Sequence, residues 1–133
     1  EYQIPIETIH DGSFLSPEVL SVPLNSFANE PFIILRSDND TGKRALTICQ
    51  ENNFTPHTIF RLDQQMTAYN IACSGMGITF IGDLLLASAP ATSELIFYKL
   101  PGKNCNRNVS FYWKKGRYIS RAMEEFLKIA LPQ

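Results

Sequence analysis

The stretch that decides the fold is Asp63–Asp83, DQQMTAYNIACSGMGITFIGD, which predicts a helix, a glycine stop and a buried strand. Asp63 is predicted to cap the helix, because its carboxylate can accept from the free N–H groups of the first turn. Gly75 offers the left-handed residue that commonly ends a helix, and the β-branched and aromatic run Ile78–Ile81 is typical of a strand. The apolar helix face consists of Met66, Ala68, Tyr69, Ile71, Ala72, Cys73 and Met76. The strand closes at Gly82–Asp83, the end where ligands of open α/β sheets usually lie, although a helix packed on a strand without any site fits the same residues.

Length and composition indicate one compact domain or part of a larger one. Of the 133 residues, 44% are hydrophobic, which is enough for a core, and 19% are charged, as is usual for a globular chain. The formal net charge is −1 without a basic stripe, so the chain is not expected to bind nucleic acid by itself. No apolar run approaches the roughly 20 residues that a membrane-spanning helix needs. The chain opens on Glu1–Tyr2 and carries no secretory signal, as an excised fragment would.

The three cysteines favour a reducing compartment, because their spacing contains no disulfide framework and no CxxC pair. Cys49 and Cys73 fall on apolar helical faces, where a free thiol behaves as a small hydrophobe, and Cys105 lies in a polar loop. Only His10 and His57 could join them as soft metal ligands, and their spacing fits no zinc pattern. No metal or cofactor is therefore expected.

A second strand and helix precede the deciding stretch. The run Pro31–Arg36 is apolar on both faces, which predicts a strand at the centre of a covered sheet. The small-residue loop Ser37–Gly42 leads to a predicted helix at Lys43–Asn52, capped by Asp40 or Thr41. Such a loop presents free N–H groups and hydroxyls to a bound molecule, or its polar side chains only satisfy the turn and the cap.

The predicted order is β-α-β-α-β, followed by two strands and a helix, which argues for an α/β domain with a mixed sheet flanked by helices. Ser120 is predicted to cap the last helix. Its inward face would consist of Ala122, Phe126, Ile129 and Ala130. The remaining predicted elements are strands at Val19–Val22, Thr58–Leu62, Glu94–Leu100 and Val109–Lys114, helical turns at Leu24–Ala28 and Asp83–Ser88, and a loop at Ala89–Ser93.

Three blocks of this sequence resemble the second half of the effector-binding domain of LysR-type transcriptional regulators. Ala28–Leu35 is similar to that family's "nePfi" strand, and Ile71–Ile81 is similar to its "VaaGlGia" helix-turn-strand segment. Val109–Phe126, which contains WKKGRYIS, is similar to its "vwrk-r-lsp" segment. The order and spacing of the blocks agree across roughly residues 24–130. The family usually has Pro where Gly82 stands.

The resemblance implies a periplasmic-binding-protein-like (type 2) fold, in which crossover strands join two lobes. Residues 1–22 would be a crossover or partial first-lobe segment, and residues 23–106 the second effector-binding subdomain. Residues 107–133 would form a return strand and a C-terminal helix that belong to the first lobe. The fold would be partial, since most of the first lobe and the winged helix-turn-helix domain lie outside this sequence.

In that family, small-molecule effectors bind in the cleft between the lobes. Carried over by position, the second-lobe site consists of Ser37, Asn39, Thr41, Gln64, Gln65, Met66, Ile81 and Gly82. Two helix N-termini and a strand end would converge there, which suits an anion or carboxylate. Thr41 would donate its hydroxyl, and the amides of Gln64 and Gln65 would orient the ligand. Ile81 would line the wall, and Arg36 is another charge partner to consider.

The expected function is ligand sensing without catalysis, in a cytoplasmic transcriptional regulator that forms homodimers or higher oligomers. The effector would favour the closed arrangement of the lobes by a population shift, and DNA would be contacted only through the separate N-terminal domain. Two alternatives within the same fold are a solute-binding protein and a dimerisation module without an effector.

An enzyme is the alternative from another class. It would use Cys73 or Ser74 as the nucleophile. His57 or His10 would then be the base. The segment Ser74–Gly77 lacks the GxSxG elbow, and an apolar surrounding makes Cys73 an inert thiol. The sequence therefore favours binding over catalysis.

Overall fold

The computed structural model describes residues 1–90, 92 and 94–131, and it confirms the α/β class. Within these residues the elements in chain order are β1 (Gln3–Ile4), α1 (Ile6–His10), β2 (Pro31–Leu35), α2 (Asp40–Glu51), β3 (His57–Leu62), α3 (Gln65–Cys73), β4 (Ile78–Thr79), α4 (Asp83–Ser88), β5 (Phe97–Tyr98) and α5 (Arg121–Ala130). Single 3-10 turns lie at Ser13–Leu15, Leu24–Phe27 and Lys103–Cys105. No helix in the described ranges is long and apolar enough to cross a membrane.

The centre of the fold is a three-stranded parallel sheet in the order β3-β2-β4. Strand β2 lies in the middle, as its apolar run predicts, and Phe32, Ile33 and Ile34 are at most 1% exposed. Strand β4 approaches so closely that a Cβ at Gly77 would lie 2.7 Å from the carbonyl oxygen of Pro31. Glycine at position 77 therefore permits this pairing.

Helices α2 and α3 cover opposite faces of the sheet, because alternate residues of β2 point to opposite sides. Ile33 and Leu35 pack against Ala68 and Ala72 of α3. On the other face, Phe32 and Ile34 pack against Ala45 of α2. Phe32 also lies 5.9 Å, ring centre to ring centre, from both Phe54 and Phe80. The core is thus centred on β2, with α3 packed against one face of the sheet and α2 against the other.

A second, two-stranded sheet pairs β1 with β5 antiparallel, and Ser21 forms an isolated bridge with Lys99. Parallel and antiparallel pairing therefore occur in separate sheets rather than in one mixed sheet. The predicted strand Val19–Val22 reduces to the bridge at Ser21, and the predicted strand Glu94–Leu100 reduces to Phe97–Tyr98. The predicted loop Ala89–Ser93 lies partly outside the described residues, which omit 91 and 93.

The deciding stretch folds as predicted in its middle and differs at both ends. Gly75 has φ +76°, in the left-handed region, directly after α3. Strand β4 ends at Thr79 rather than at Ile81. Asp63 does not cap α3, because the N-cap is Gln64, which makes no side-chain cap hydrogen bond. The carboxylate of Asp63 instead pairs with Arg36, at 3.5 Å.

The C-terminal segment lies outside the core. Ser120 caps α5 as predicted, since its hydroxyl accepts from the N–H of Met123 at 3.3 Å. The predicted strand Val109–Lys114 has no partner strand within the described residues. The predicted inward face of α5 is wrong for this chain: Phe126 is 53% exposed and Ile129 86%. Ala122 and Ala130 are exposed as well. A helical apolar pattern marks a face but does not specify what covers it.

Candidate functional site

The carboxyl ends of β2 and β3 meet at Arg36, whose N–H donates to the carbonyl oxygen of Leu62 at 2.8 Å. Its guanidinium lies 3.4 Å from a carboxylate oxygen of Asp38 and 3.5 Å from one of Asp63. Arg36 therefore links the loop after β2 to the residues before α3. Because two carboxylates share its charge, Arg36 is a weaker counter-ion for a ligand than an unpaired arginine is.

The start of α2 is held against the end of β2. Asn39 is the N-cap, because its side-chain oxygen accepts from the N–H of Gly42 at 2.7 Å. The predicted caps Asp40 and Thr41 are wrong, and the helix begins at Asp40 rather than at Lys43. A Cβ at Gly42 would overlap the carbonyl oxygen of Arg36. Glycine is therefore required for this close approach.

Thr41 connects the start of α2 to a distant part of the chain. Its hydroxyl oxygen accepts from Nη1 of Arg107 at 3.2 Å. The carboxylate of the neighbouring Asp40 accepts from Nε of Arg44 at 2.9 Å and lies 4.0 Å from Arg107. This hydrogen bond from Arg44 is the main cause of a lowered pKa at Asp40. Asp40 therefore remains ionised through the neutral range.

The start of α3 and the end of β4 form the other part of the predicted site. The side-chain oxygen of Gln65 lies 4.0 Å from the position of a Cβ on Gly82, so these two residues are neighbours. Met66 and Ile81 are half-buried and pack against the cluster that contains Tyr69.

The predicted site residues thus form two groups joined by the Arg36–Asp63 ion pair. One group is Asn39 and Thr41, and the other is Gln65, Met66, Ile81 and Gly82. Ser37 and Gln64 are exposed, and within the described residues their side chains bond to neither group. Sequence reasoning missed Arg44 and Arg107. Arg107 is 66 residues from Thr41 along the chain, so no local pattern signals their contact.

Of the two nucleophiles considered for an enzyme, Cys73 is half-buried and packs against the apolar cluster that contains Tyr69. The hydroxyl of Ser74 donates to the carbonyl oxygen of Ile71 at 2.7 Å, at the end of α3. Burial raises the pKa of the Cys49 thiol to about 11 and also raises that of Cys105. Among the described residues, no group of three or more His, Cys, Asp or Glu side chains is placed to hold a metal ion.

Two depressions, of about 290 and 310 Å³, border β1. Both are lined in part by Gln3, Ile4 and Pro5, and neither contains a predicted site residue. The candidate site is instead an open edge, built from strand ends and two helix starts.

Comparison with known proteins gives a consistent result. A sequence profile of the family described as "LysR substrate binding domain" matches residues 14–133. Two curated relatives from Bacillus subtilis (strain 168), named as the uncharacterized HTH-type transcriptional regulators YcgK and YybE, are each 26% identical, over 110 and 106 residues. The alignments cover 82% and 80% of this chain but 33% and 35% of the relatives, so the chain spans about a third of their length. No solved structure matches the chain.

Proposed function

Because the chain belongs to the LysR substrate-binding domain family, we propose that it is the ligand-sensing regulatory domain of a transcriptional regulator. The observation that carries this proposal is the family match across residues 14–133. The names of the two relatives as HTH-type transcriptional regulators support it. The domain binds its effector without changing it chemically and needs no cofactor, and the regulator acts in the cytoplasm.

The chain is one part of a two-lobed, periplasmic-binding-protein-like (type 2) fold. Residues 23–106 are the second lobe, which the core around β2 supports. Residues 1–22 include a crossover, which the pairing of β1 with β5 supports. Residues 107–133 return to the first lobe, and the exposed side of α5 supports this, because Ile129 is 86% exposed. Positions 132 and 133 of that segment lie outside the described residues.

The effector lies at the edge where the parallel strands end, and it is an anion or a carboxylate. Thr41 and Asn39 contact it at the start of α2, with Ser37 on the adjoining loop. The contacts at the other side come from Gln64, Gln65, Met66, Ile81 and Gly82. Two observations support this location: Arg36 joins both groups through Asp63, and Gln65 neighbours Gly82. The N-terminal ends of α2 and α3 add partial positive charge.

Effector binding is transmitted as a population shift, since a ligand that touches both lobes favours their closed arrangement. The regulator forms homodimers or higher oligomers and contacts DNA through a separate winged helix-turn-helix domain. The closed arrangement alters how the dimer presents those domains.

A thermal-shift screen of the full-length protein tests this proposal, with small carboxylates, amino acids and inorganic anions as ligands. A ligand that binds the native state raises the melting temperature by mass action. Thr41→Ala should weaken the binding of a hit by roughly 1 kcal/mol or more, because a hydrogen bond to the ligand is lost.

Thr47→Ala is the matched control, because Thr47 lies on the same helix and its hydroxyl, within the described part of the chain, donates only to the carbonyl oxygen of Lys43. Melting should remain cooperative in both variants. Equal affinity in wild type, Thr41→Ala and Thr47→Ala would remove Thr41 from the site. A complete lack of hits would argue against effector sensing.

Assembly without an effector is the second candidate, and the exposed apolar side chains of the C-terminal segment favour it. Tyr112 is 90% exposed and Phe126 53%. Large exposed apolar surfaces commonly mark protein interfaces. Sedimentation of the full-length protein over a wide concentration range distinguishes the candidates, because an assembly module must associate without ligand, and a persistent monomer rejects it.

A further inference from the structure

The 3-10 turn Lys103–Cys105 and the residues after it run along α2 as a strap, Lys103–Arg107. At the end of α2, the amide nitrogen of Asn104 donates to the carboxylate of Glu51. In the middle, Cys105 packs against the cluster that contains Cys49, which is fully buried. Near the start of α2, Nη1 of Arg44 donates to the carbonyl oxygen of Asn106 at 3.4 Å. These contacts fix the register of the strap on the helix.

That register carries Arg107 to the first turn of α2. Its Nη1 donates to the hydroxyl oxygen of Thr41 at 3.2 Å, which is its one side-chain hydrogen bond within the described residues. Asp40 is 4.0 Å away and already accepts from Arg44 at 2.9 Å. The side chain of Arg107 is 55% exposed, so it remains accessible to solvent beside a predicted site residue, and a guanidinium has five N–H donors.

The bond from Arg107 also orients the hydroxyl of Thr41. A hydroxyl has one hydrogen to donate and two lone pairs that accept. Because Arg107 occupies a lone pair of Thr41, the hydrogen of that hydroxyl must point elsewhere. Arg107 and Thr41 together therefore present a charged donor and a neutral donor side by side, a combination that fits the two oxygens of one carboxylate.

We propose that Arg107 is an effector-binding residue, which supplies the positive charge and, through Thr41, one oriented hydroxyl for an oxyanion group of the ligand. This inference rests on the proposed sensing function and adds to it a residue that lies outside the second-lobe positions carried over from the family. The strap is the means by which this residue reaches the site. Arg36, by contrast, already shares its charge with Asp38 and Asp63.

The test uses the full-length protein at constant ionic strength. The probes are acetate, succinate and inorganic sulfate, with acetamide and succinamide as neutral counterparts, and affinity is measured by calorimetric titration. We expect Arg107→Ala to weaken the binding of the anions by about tenfold, the usual loss for one charge-assisted hydrogen bond. Binding of the amides should change little.

Two variants separate charge from placement. Arg107→Lys keeps the charge and should retain most of the anion affinity, whereas Arg107→Gln keeps a donor for Thr41 without charge and should not. Arg61→Ala is the matched control, because Arg61 is an exposed arginine on β3 whose side chain, among the described residues, forms no hydrogen bond or ion pair with a predicted site residue. It should bind the anions as the wild type does. Circular dichroism checks that every variant is folded. If Arg107→Ala does not fold, the anion affinities of Arg107→Lys and Arg107→Gln are compared instead.

Equal anion affinity in Arg107→Ala and Arg61→Ala would overturn the role of Arg107 while leaving effector sensing in place. Equal losses for anions and amides would also overturn it, because they indicate a purely structural part. Binding of neutral ligands alone, or of none of the probes, rejects an oxyanion-binding Arg107. The proposed function fails separately, through the broader ligand screen.

Discussion

Replacing Gly42 with alanine sets two effects of opposite sign against each other. Alanine in a helix is normally favoured over glycine by about 1 kcal/mol. At Gly42, however, a Cβ would overlap the carbonyl oxygen of Arg36 and lie 2.5 Å from that of Leu35. Both oxygens belong to the main chain at the end of β2, so neither can turn aside as a flexible side chain can. The steric effect should therefore outweigh the helix preference.

The magnitude follows from the movement that the new methyl group requires. Ordinary contact begins at 3.4 Å, so the start of α2 must shift by about 0.9 Å to relieve the contact with Leu35 alone. Overpacking of this kind costs about 1–3 kcal/mol. The shift also weakens the cap, in which the N–H of Gly42 donates to Asn39 at 2.7 Å, and this costs about 1 kcal/mol more. After the helix preference is subtracted, Gly42→Ala should destabilise the protein by about 1–3 kcal/mol.

Urea unfolding of the full-length protein measures this free energy, and Gly82→Ala is the matched control. Gly82 has φ −79° and ψ 143°, which alanine adopts easily, and its nearest atom beyond a new Cβ is 4.0 Å away. Gly82→Ala should therefore be neutral or should stabilise by up to about 1 kcal/mol, because alanine restricts the unfolded chain. If Gly42→Ala is as stable as Gly82→Ala, then α2 does not approach β2 as closely as described, and the account of the site's geometry is wrong.

Two other substitutions test the core. Phe32→Ala should lower the free energy of unfolding by about 3–5 kcal/mol, because Phe32 is 1% exposed. Phe80→Ala should lower it by less, since Phe80 is only half-buried. Equal losses of stability in urea unfolding would contradict this difference. The pKa of Cys49 is about 11, against 9.0 for a free thiol, so folding keeps this thiol protonated. Above pH 9 the thiol ionises in the unfolded chain but not in the folded one, so the free energy of unfolding falls as the pH rises to about 11. The expected fall is about 2–3 kcal/mol, and Cys49→Ala should lack it. Identical pH profiles for the two proteins would show that the thiol is not buried.

The predictions from sequence succeeded where local pattern determines structure. The uninterrupted apolar run at Pro31–Leu35 is typical of a covered central strand, and the structure places it there. Gly75 after an apolar helix face ends α3 in the left-handed region. Ser120 caps α5 because no competing side chain precedes it closely.

The predictions failed where several residues compete or where the partner is distant in sequence. Asp38, Asn39, Asp40 and Thr41 can all cap a helix, and the path of the loop selects Asn39. The shape of the side chain alone did not distinguish them. The hydrogen bond between Arg107 and Thr41 spans 66 residues, which places it beyond any local pattern. The sequence of α5 does place its apolar residues on one side of the helix, but this pattern does not specify which surface, if any, covers that side.

The parallel sheet and the strap differ in what they require during folding. Strands β2, β3 and β4 follow one another within residues 31–79, and a helix connects each strand to the next, so this nucleus forms from neighbouring segments. The strap must instead close a loop back to α2, and the entropy lost on closure grows with loop length. The contacts of the strap are mostly exposed and polar, so we expect it to dock last. Its opening should then require less free energy than the unfolding of the whole domain. One half of the candidate site is then preformed by the core, while Arg107 belongs to a half that opens and closes, and ligand binding would draw the strap towards the closed form.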